Sequence, residues 1–134
     1  MSYSYEHAIA TTNPKVINLV KQAEQRFEQH RVEFYESNGM TDAIEYIKSG
    51  KDAYGKFKME QTTDGVWLFT TETNKMPDAF NELYDGLGEI LYEDETDTTE
   101  YCVVGEEGET TCYGGMGNWI RSPRSSPVIL LEVA

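Results

Sequence analysis

Apolar positions recur every three or four residues from Val16 through Val20, Ala23, Phe27, His30 and Phe34, while Lys21, Glu24, Glu28 and Arg31 fall off that line. This spacing predicts an amphipathic helix over residues 14 to 36. Asn13 is suited to cap it, Pro14 fits a first turn whose missing N–H costs nothing, and the Ser37-Asn38-Gly39 stretch ends it. A short helix, with Thr41 as its expected cap, covers "DAIEYIKS" and stops at Gly50. The period then falls to two. "YGKFKMEQTT" and "VWLFTTE" flank Asp64-Gly65, a dipeptide favoured in two-residue hairpin turns. Pairing across such a turn puts Phe57, Met59, Val66 and Leu68 on one face, expected to be core. Lys56, Lys58, Glu60, Trp67 and Phe69 fall on the other, either covered by another element or left as a contact surface.

Pro77 opens a further helix, "PDAFNELYDGLGEILYE", with Phe80, Leu83, Leu87, Ile90 and Leu91 on its apolar side. Gly86 and Gly88 leave open a break at Gly86 with "EILYE" as a strand, because glycine inside a helix costs about 1 kcal/mol relative to alanine. "TEYCVV" and "TTCYGG" read as a second hairpin around "GEEGE", in which the loop length decides whether Cys102 and Cys112 are opposite or diagonal. "VILLEV" reads as a final, internal strand. The fold expected is α+β in one domain spanning residues 1–134: a long N-terminal helix and a short helix, then a mostly antiparallel sheet of two hairpins plus a C-terminal strand, with a further helix packed on it.

Charge changes this picture. The chain has 134 residues and a net charge of −13. Residues 1 to 75 carry eleven acids and nine bases, and residues 121 to 134 carry two arginines and one glutamate. Between Lys75 and Arg121 there are twelve acids and no base: Asp78, Glu82, Asp85, Glu89, Glu93, Asp94, Glu95, Asp97, Glu100, Glu106, Glu107 and Glu109. One third of the chain therefore holds nearly all of the charge, whereas a merely halophilic composition would spread it.

Catalytic chemistry has little to stand on. The commonest general base is histidine, and the chain has two. His7 lies in a poorly patterned N-terminal segment and His30 on a helix stripe, both read as structural or solvated, and no catalytic residue is assigned. "EDETDTTE" fails the alternation of a calcium-binding EF-hand loop, and "GGMG" at 114 to 117 lacks the lysine of a phosphate-binding P-loop, so neither a metal nor a cofactor is expected. Cys102 and Cys112 lack zinc-site or redox-motif spacing, and the sequence leaves open whether they are plain thiols. The longest apolar run is too short for a membrane span, and the N-terminus lacks a signal peptide's basic start and apolar core; the expected location is cytoplasmic, or the host cytoplasm if the protein is viral.

Direct binding to nucleic acid or an anionic membrane is disfavoured, because such affinity comes from lysine and arginine releasing counterions. The converse partner is a basic nucleic-acid-binding protein. Four carboxylates on one helix face, Glu82, Asp85, Glu89 and Glu93, span about 16 Å at 1.5 Å per residue. The run Glu93, Asp94, Glu95, Asp97 and Glu100, with Glu106, Glu107 and Glu109, supplies a second row, and Tyr92, Tyr101, Tyr113 or Trp119 supply desolvated anchors. In composition and size alone the chain resembles the small acidic inhibitors that phages deploy against host nucleases, restriction or CRISPR effectors, or transcription machinery. The expected function is therefore inhibition by a DNA-like negative surface. An immunity protein or antitoxin that neutralises a basic nuclease would share these electrostatics. The readings from another class are an enzyme, or an assembly component forming a homodimer through the aromatic face of the first hairpin, its acids being solvated surface.

Overall fold

In the computed structural model, which describes residues 4–93, 98–114, 119–122 and 127–133, the chain opens with a strand, β1 (Ser4–Thr11). Thr11 Oγ1 accepts the N–H of Asn13, and the Asn13 side chain in turn accepts the N–H of Lys15, so the chain turns directly into α1 (Pro14–Ser37). Gly39, with φ of 66°, turns the chain into α2 (Thr41–Lys48). Thr41 lies inside that helix, and Met40 occupies the cap position without a side-chain bond. There follow β2 (Lys58–Gln61), β3 (Trp67–Asn74), α3 (Asp78–Glu93), β4 (Thr99–Gly105), β5 (Thr110–Tyr113), β6 (Ile120–Arg121) and β7 (Val128–Ile129). No helix among the described residues is long and apolar enough to cross a membrane.

The main sheet has the order β2-β3-β1-β4-β5, with every neighbouring pair antiparallel. The strands β1 and β2 are thus parallel to each other with β3 between them, and β3 and β4 are parallel with β1 between them. These two interleaved split βαβ units make the ferredoxin-like arrangement, extended by β5. The fold is α+β, as the patterning predicts, but its central strand precedes the helices. The signal is weak in β1 because the strand is covered on both faces and built from small and polar residues. Ala8, Ala10 and Thr11 are buried beside Ile9, so no apolar–polar alternation survives.

On one face Ile9, Phe57, Phe69, Tyr101 and Val103 meet Val16, Val20 and Ala23 of α1 and Ala79, Phe80, Leu83 and Leu87 of α3. On the other, Ala8, Ala10, Val66, Leu68, Cys102 and Val104 lie under Ile120, with Trp119, Ile129 and Leu131 around them. α3 runs unbroken through Gly86 and Gly88, and Gly86 sits where a Cβ would press on Leu19 of α1.

Three details differ from the sequence reading. The first hairpin closes through a longer loop: Thr62 accepts the N–H groups of both Gly65 and Val66 through its carbonyl and hydroxyl respectively, and Thr62 N–H bonds back to Val66. Gly65 takes the left-handed conformation (φ 83°) and Gln61 pairs with Trp67, one residue away from the two-residue-turn register. A slip of one residue exchanges faces. Phe57 thus joins Phe69 and Trp67 beneath the helices, and the aromatic face invoked for a homodimer is covered. Secondly, the C-terminal strand is no internal strand of the main sheet: Val128–Ile129 pairs only with β6, and Val133 forms a single bridge to Thr62. Thirdly, α1 outruns the sheet, leaving His30 and Phe34 in solvent.

Candidate functional site

The acids on α3 are spaced four, three, four and four residues apart, from Asp78 through Glu82, Asp85 and Glu89 to Glu93. That spacing keeps them on one side of a helix. All five are exposed, opposite the buried row of Phe80, Leu83 and Leu87. They span about 22 Å at 1.5 Å per residue. Glu82 forms an ion pair with Arg26 of α1, both side chains being more than half exposed. Among the described residues Asp78, Asp85, Glu89 and Glu93 have no ion pair. Tyr92 stands beside them, 92% exposed.

Hydrogen bonds fix the tip of the second hairpin. Gly105 N–H donates to Glu109 O, Gly108 N–H to Gly105 O, and Glu106 N–H to Ser4 O, with Gly108 at a φ of 85° that glycine tolerates. Glu106, Glu107 and Glu109 are exposed there. Since α3 leads into β4 and runs opposite to it, this tip lies at the end of the sheet where α3 begins. The Glu106 N–H bond to Ser4, which pairs with Asn74 just before α3, sets the hairpin acids near the first turn of that helix.

Other predicted positions fall elsewhere. Asp94, Glu95 and Asp97 lie outside the described residues, as do residues 115–117 of the glycine loop. Glu100 is buried on the sheet face away from the helices, where Oε2 accepts the N–H groups of Trp119 and Ile120, each at 2.9 Å. Its role is to dock the segment that covers that face, not to meet a partner. Tyr101 is also buried, on the helical face, and its phenol is pushed up to about 12 by burial, then by Tyr113 and Asp85. Cys102 and Cys112 pair across β4 and β5 and form a disulfide, a redox state that the sequence leaves open. Gly105 and Glu109 form a hydrogen-bonded pair, so by alternation Cys102 and Cys112 occupy a close, non-hydrogen-bonded one.

A buried polar cluster forms around a residue the pattern left as unremarkable. His7 is buried between α3 and β3, with Nδ1 2.6 Å from Tyr84 Oη and Nε2 2.8 Å from Thr73 Oγ1. Thr73 Oγ1 donates to Lys75 O, so it accepts from Nε2–H, and Nδ1 accepts from Tyr84. Burial lowers its pKa to about 4, and the ring stays neutral near pH 7. Tyr84 stacks on it and Phe80 meets it edge-on. A second cluster fastens the connection after α2: Arg31 bonds Asp52 at 2.6 Å and lies 4.9 Å from the ring centroid of Tyr54 and 5.7 Å from that of Phe27. Paired spacing of Arg31 and Asp52 gives no sequence signal, because 21 residues separate them.

A cleft of about 280 Å³ opens on the other sheet face, lined by Glu6, Ala8, Thr70, Glu72, Pro127 and Ile129. Glu6 and Glu72 face each other across β1 and β3, and burial, then the charge of Glu72, raises the Glu6 carboxyl. The His7 ring points to the helical face, away from this cleft. The chain matches no protein family, no curated protein and no solved structure.

Proposed function

We propose that this is a small acidic binding protein that presents a DNA-like negative surface to the nucleic-acid-binding site of a basic protein and thereby inhibits it. The observation that carries the proposal is the stripe on α3. Five exposed carboxylates follow one helix side into the last turn, which holds no basic residue. A helix C-terminus carries partial negative charge, so acids there disfavour the helix by about 0.3–1 kcal/mol each. Acids placed against the helix dipole suit a surface selected for something other than folding. Five charges in about 22 Å compare with six or seven phosphates along one strand of duplex, at about 3.4 Å each. Glu106, Glu107 and Glu109 add charge at the α3 start, and Tyr92 offers an exposed ring for a desolvated contact.

The test compares the natural chain with a Glu82→Gln, Asp85→Asn, Glu89→Gln, Glu93→Gln variant as baits for a bacterial lysate at low salt. The natural chain is expected to retain nucleic-acid-binding proteins that added duplex DNA elutes, and the variant to retain at least tenfold less of them. Equal retention by both baits, or retention that DNA leaves untouched, rules the proposal out.

A further inference from the structure

β5 is the last strand of the main sheet, and among the described residues no strand pairs with its outer side. All of its residues, Thr110–Tyr113, are exposed. Cys102 and Cys112 occupy a pair without hydrogen bonds across β4 and β5, and so, two positions along, do Val104 and Thr110. In such pairs the N–H and C=O groups point away from the partner strand. Thr110 and Cys112 therefore turn their donors and acceptors outward, where among the described residues no backbone bond meets them. The disulfide holds this row on β4. The opposite edge is treated otherwise: β2 carries Lys58, and just past it Thr62 bridges to Val133 while Thr63 N–H bonds to Glu132 O. Lysine on an edge strand and a covering segment both discourage pairing, whereas β5 has neither lysine nor proline.

Charge selects the occupant. Glu109 leads into β5 and by strand alternation shares a face with Thr111 and Tyr113, while Glu106 and Glu107 lie at the adjoining hairpin tip. Thr110 and Cys112 fall on the other face. β6 lies on that side, where Ile120 joins Cys102, and Arg121 shares a cavity of about 520 Å³ with Thr110, Cys112 and Tyr113. A second copy of the chain, also at −13, would bring its own acids to the edge. We propose that an extended basic segment of the partner protein adds to β5 as an antiparallel sixth strand, with basic side chains at alternate positions towards Glu109 and Tyr113 and small uncharged ones between them towards Arg121. Main-chain bonds to Thr110 and Cys112 supply the grip, and the alternation supplies the selectivity. The inference rests on the reading of this chain as a binder of a basic protein, and it names the conformation in which part of that protein is held.

The probe is a labelled peptide of alternating lysine and threonine, titrated against the full, oxidised chain at low salt and followed by fluorescence anisotropy. In the proposed pairing the threonines bond to β5 and the lysine N–H groups face away. N-methylation of the threonines is therefore expected to weaken binding by about tenfold, the worth of two lost hydrogen bonds, and N-methylation of the lysines to leave it within about twofold. The peptide's charge is the same throughout. Thr110→Pro, which removes only an outward donor, should weaken the unmodified peptide about fivefold, and Thr110→Ala should not. Equal losses from the two methylations overturn the strand addition and leave the acidic-surface reading standing. Glu106→Gln, Glu107→Gln, Glu109→Gln should weaken every peptide alike. No loss in that triple variant overturns the part given to the hairpin acids, and no binding of any peptide counts against the basic-partner reading itself. A natural chain that sediments as a dimer, and as a monomer once Thr110→Pro is made, would assign the edge to a second copy and overturn the proposal.

Discussion

His7 bonds to Tyr84 of α3 and to Thr73 of β3, and the bond to Tyr84, which Nδ1 accepts, depends on a neutral ring. A protonated Nδ1 would face the Tyr84 hydroxyl donor to donor, in a pocket walled by Phe80 and Phe57. In the folded chain the pKa is about 4, against 6.5 for an unperturbed imidazole. Between these values the unfolded chain binds more protons than the folded one, so stability is complete above pH ~6.5 and declines as the pH falls towards 4. At 1.36 kcal/mol per unit, the loss approaches about 3 kcal/mol. Glu6 and Glu24, whose carboxyls are raised chiefly by burial, act in the opposite sense, so a comparison between variants is needed to isolate the histidine. Urea unfolding at pH 7, 6, 5 and 4 should show the natural chain losing stability that His7→Gln does not lose. Parallel pH profiles for the two proteins would assign the acid sensitivity elsewhere.

Between elements, legibility followed how far each segment's surroundings are one-sided. α1 and α3 each have one wet face, and their periods were readable, as were the ends of α1; the sequence left a break at Gly86 open, which α3 does not make, and the outer part of the α1 stripe lies beyond the core. β1 is covered on both sides and gave no alternation, so the centre of the sheet and the partners of His7 were invisible. In the first hairpin a bond from Val66 N–H to the Thr62 hydroxyl selects the longer loop, and that one side chain exchanges the faces. Glu100 looked like part of an acid run because its neighbours in sequence are acidic, yet strand alternation turns it inward to two backbone N–H groups. The same alternation aligns Cys102 with Cys112, ten residues apart. Closing a loop of that length restricts the unfolded chain by about 2–3 kcal/mol. Reduction with dithiothreitol should therefore lower the unfolding free energy by about that amount, and the Cys102→Ala, Cys112→Ala protein should match the reduced chain and ignore the reductant. Two titratable thiols before reduction, with stability unmoved by it, would contradict the bond.

For the whole molecule, the question is what the charge costs. The described ion pairs join Arg26 to Glu82, Arg31 to Asp52 and Lys58 to Glu60, leaving most of α3's acids to repel each other across its exposed face. Asp85 and Glu89, and Glu89 and Glu93, are like charges four apart, each pair destabilising by about 0.2–0.5 kcal/mol. The last two also oppose the helix dipole. If these acids served only as wet surface, mixed charges would do as well and fold better. Asp85→Asn, Glu89→Gln, Glu93→Gln should therefore raise stability by about 1 kcal/mol at low ionic strength. Salt should raise the natural chain towards the variant, since a Debye length of about 3 Å at 1 M screens the repulsion. The same variant should lose partner binding, so stability and recognition move in opposite directions on one set of side chains. A variant less stable than the natural chain would instead mean that the carboxylates hold the fold together, and the α3 stripe would lose its claim to be a recognition surface.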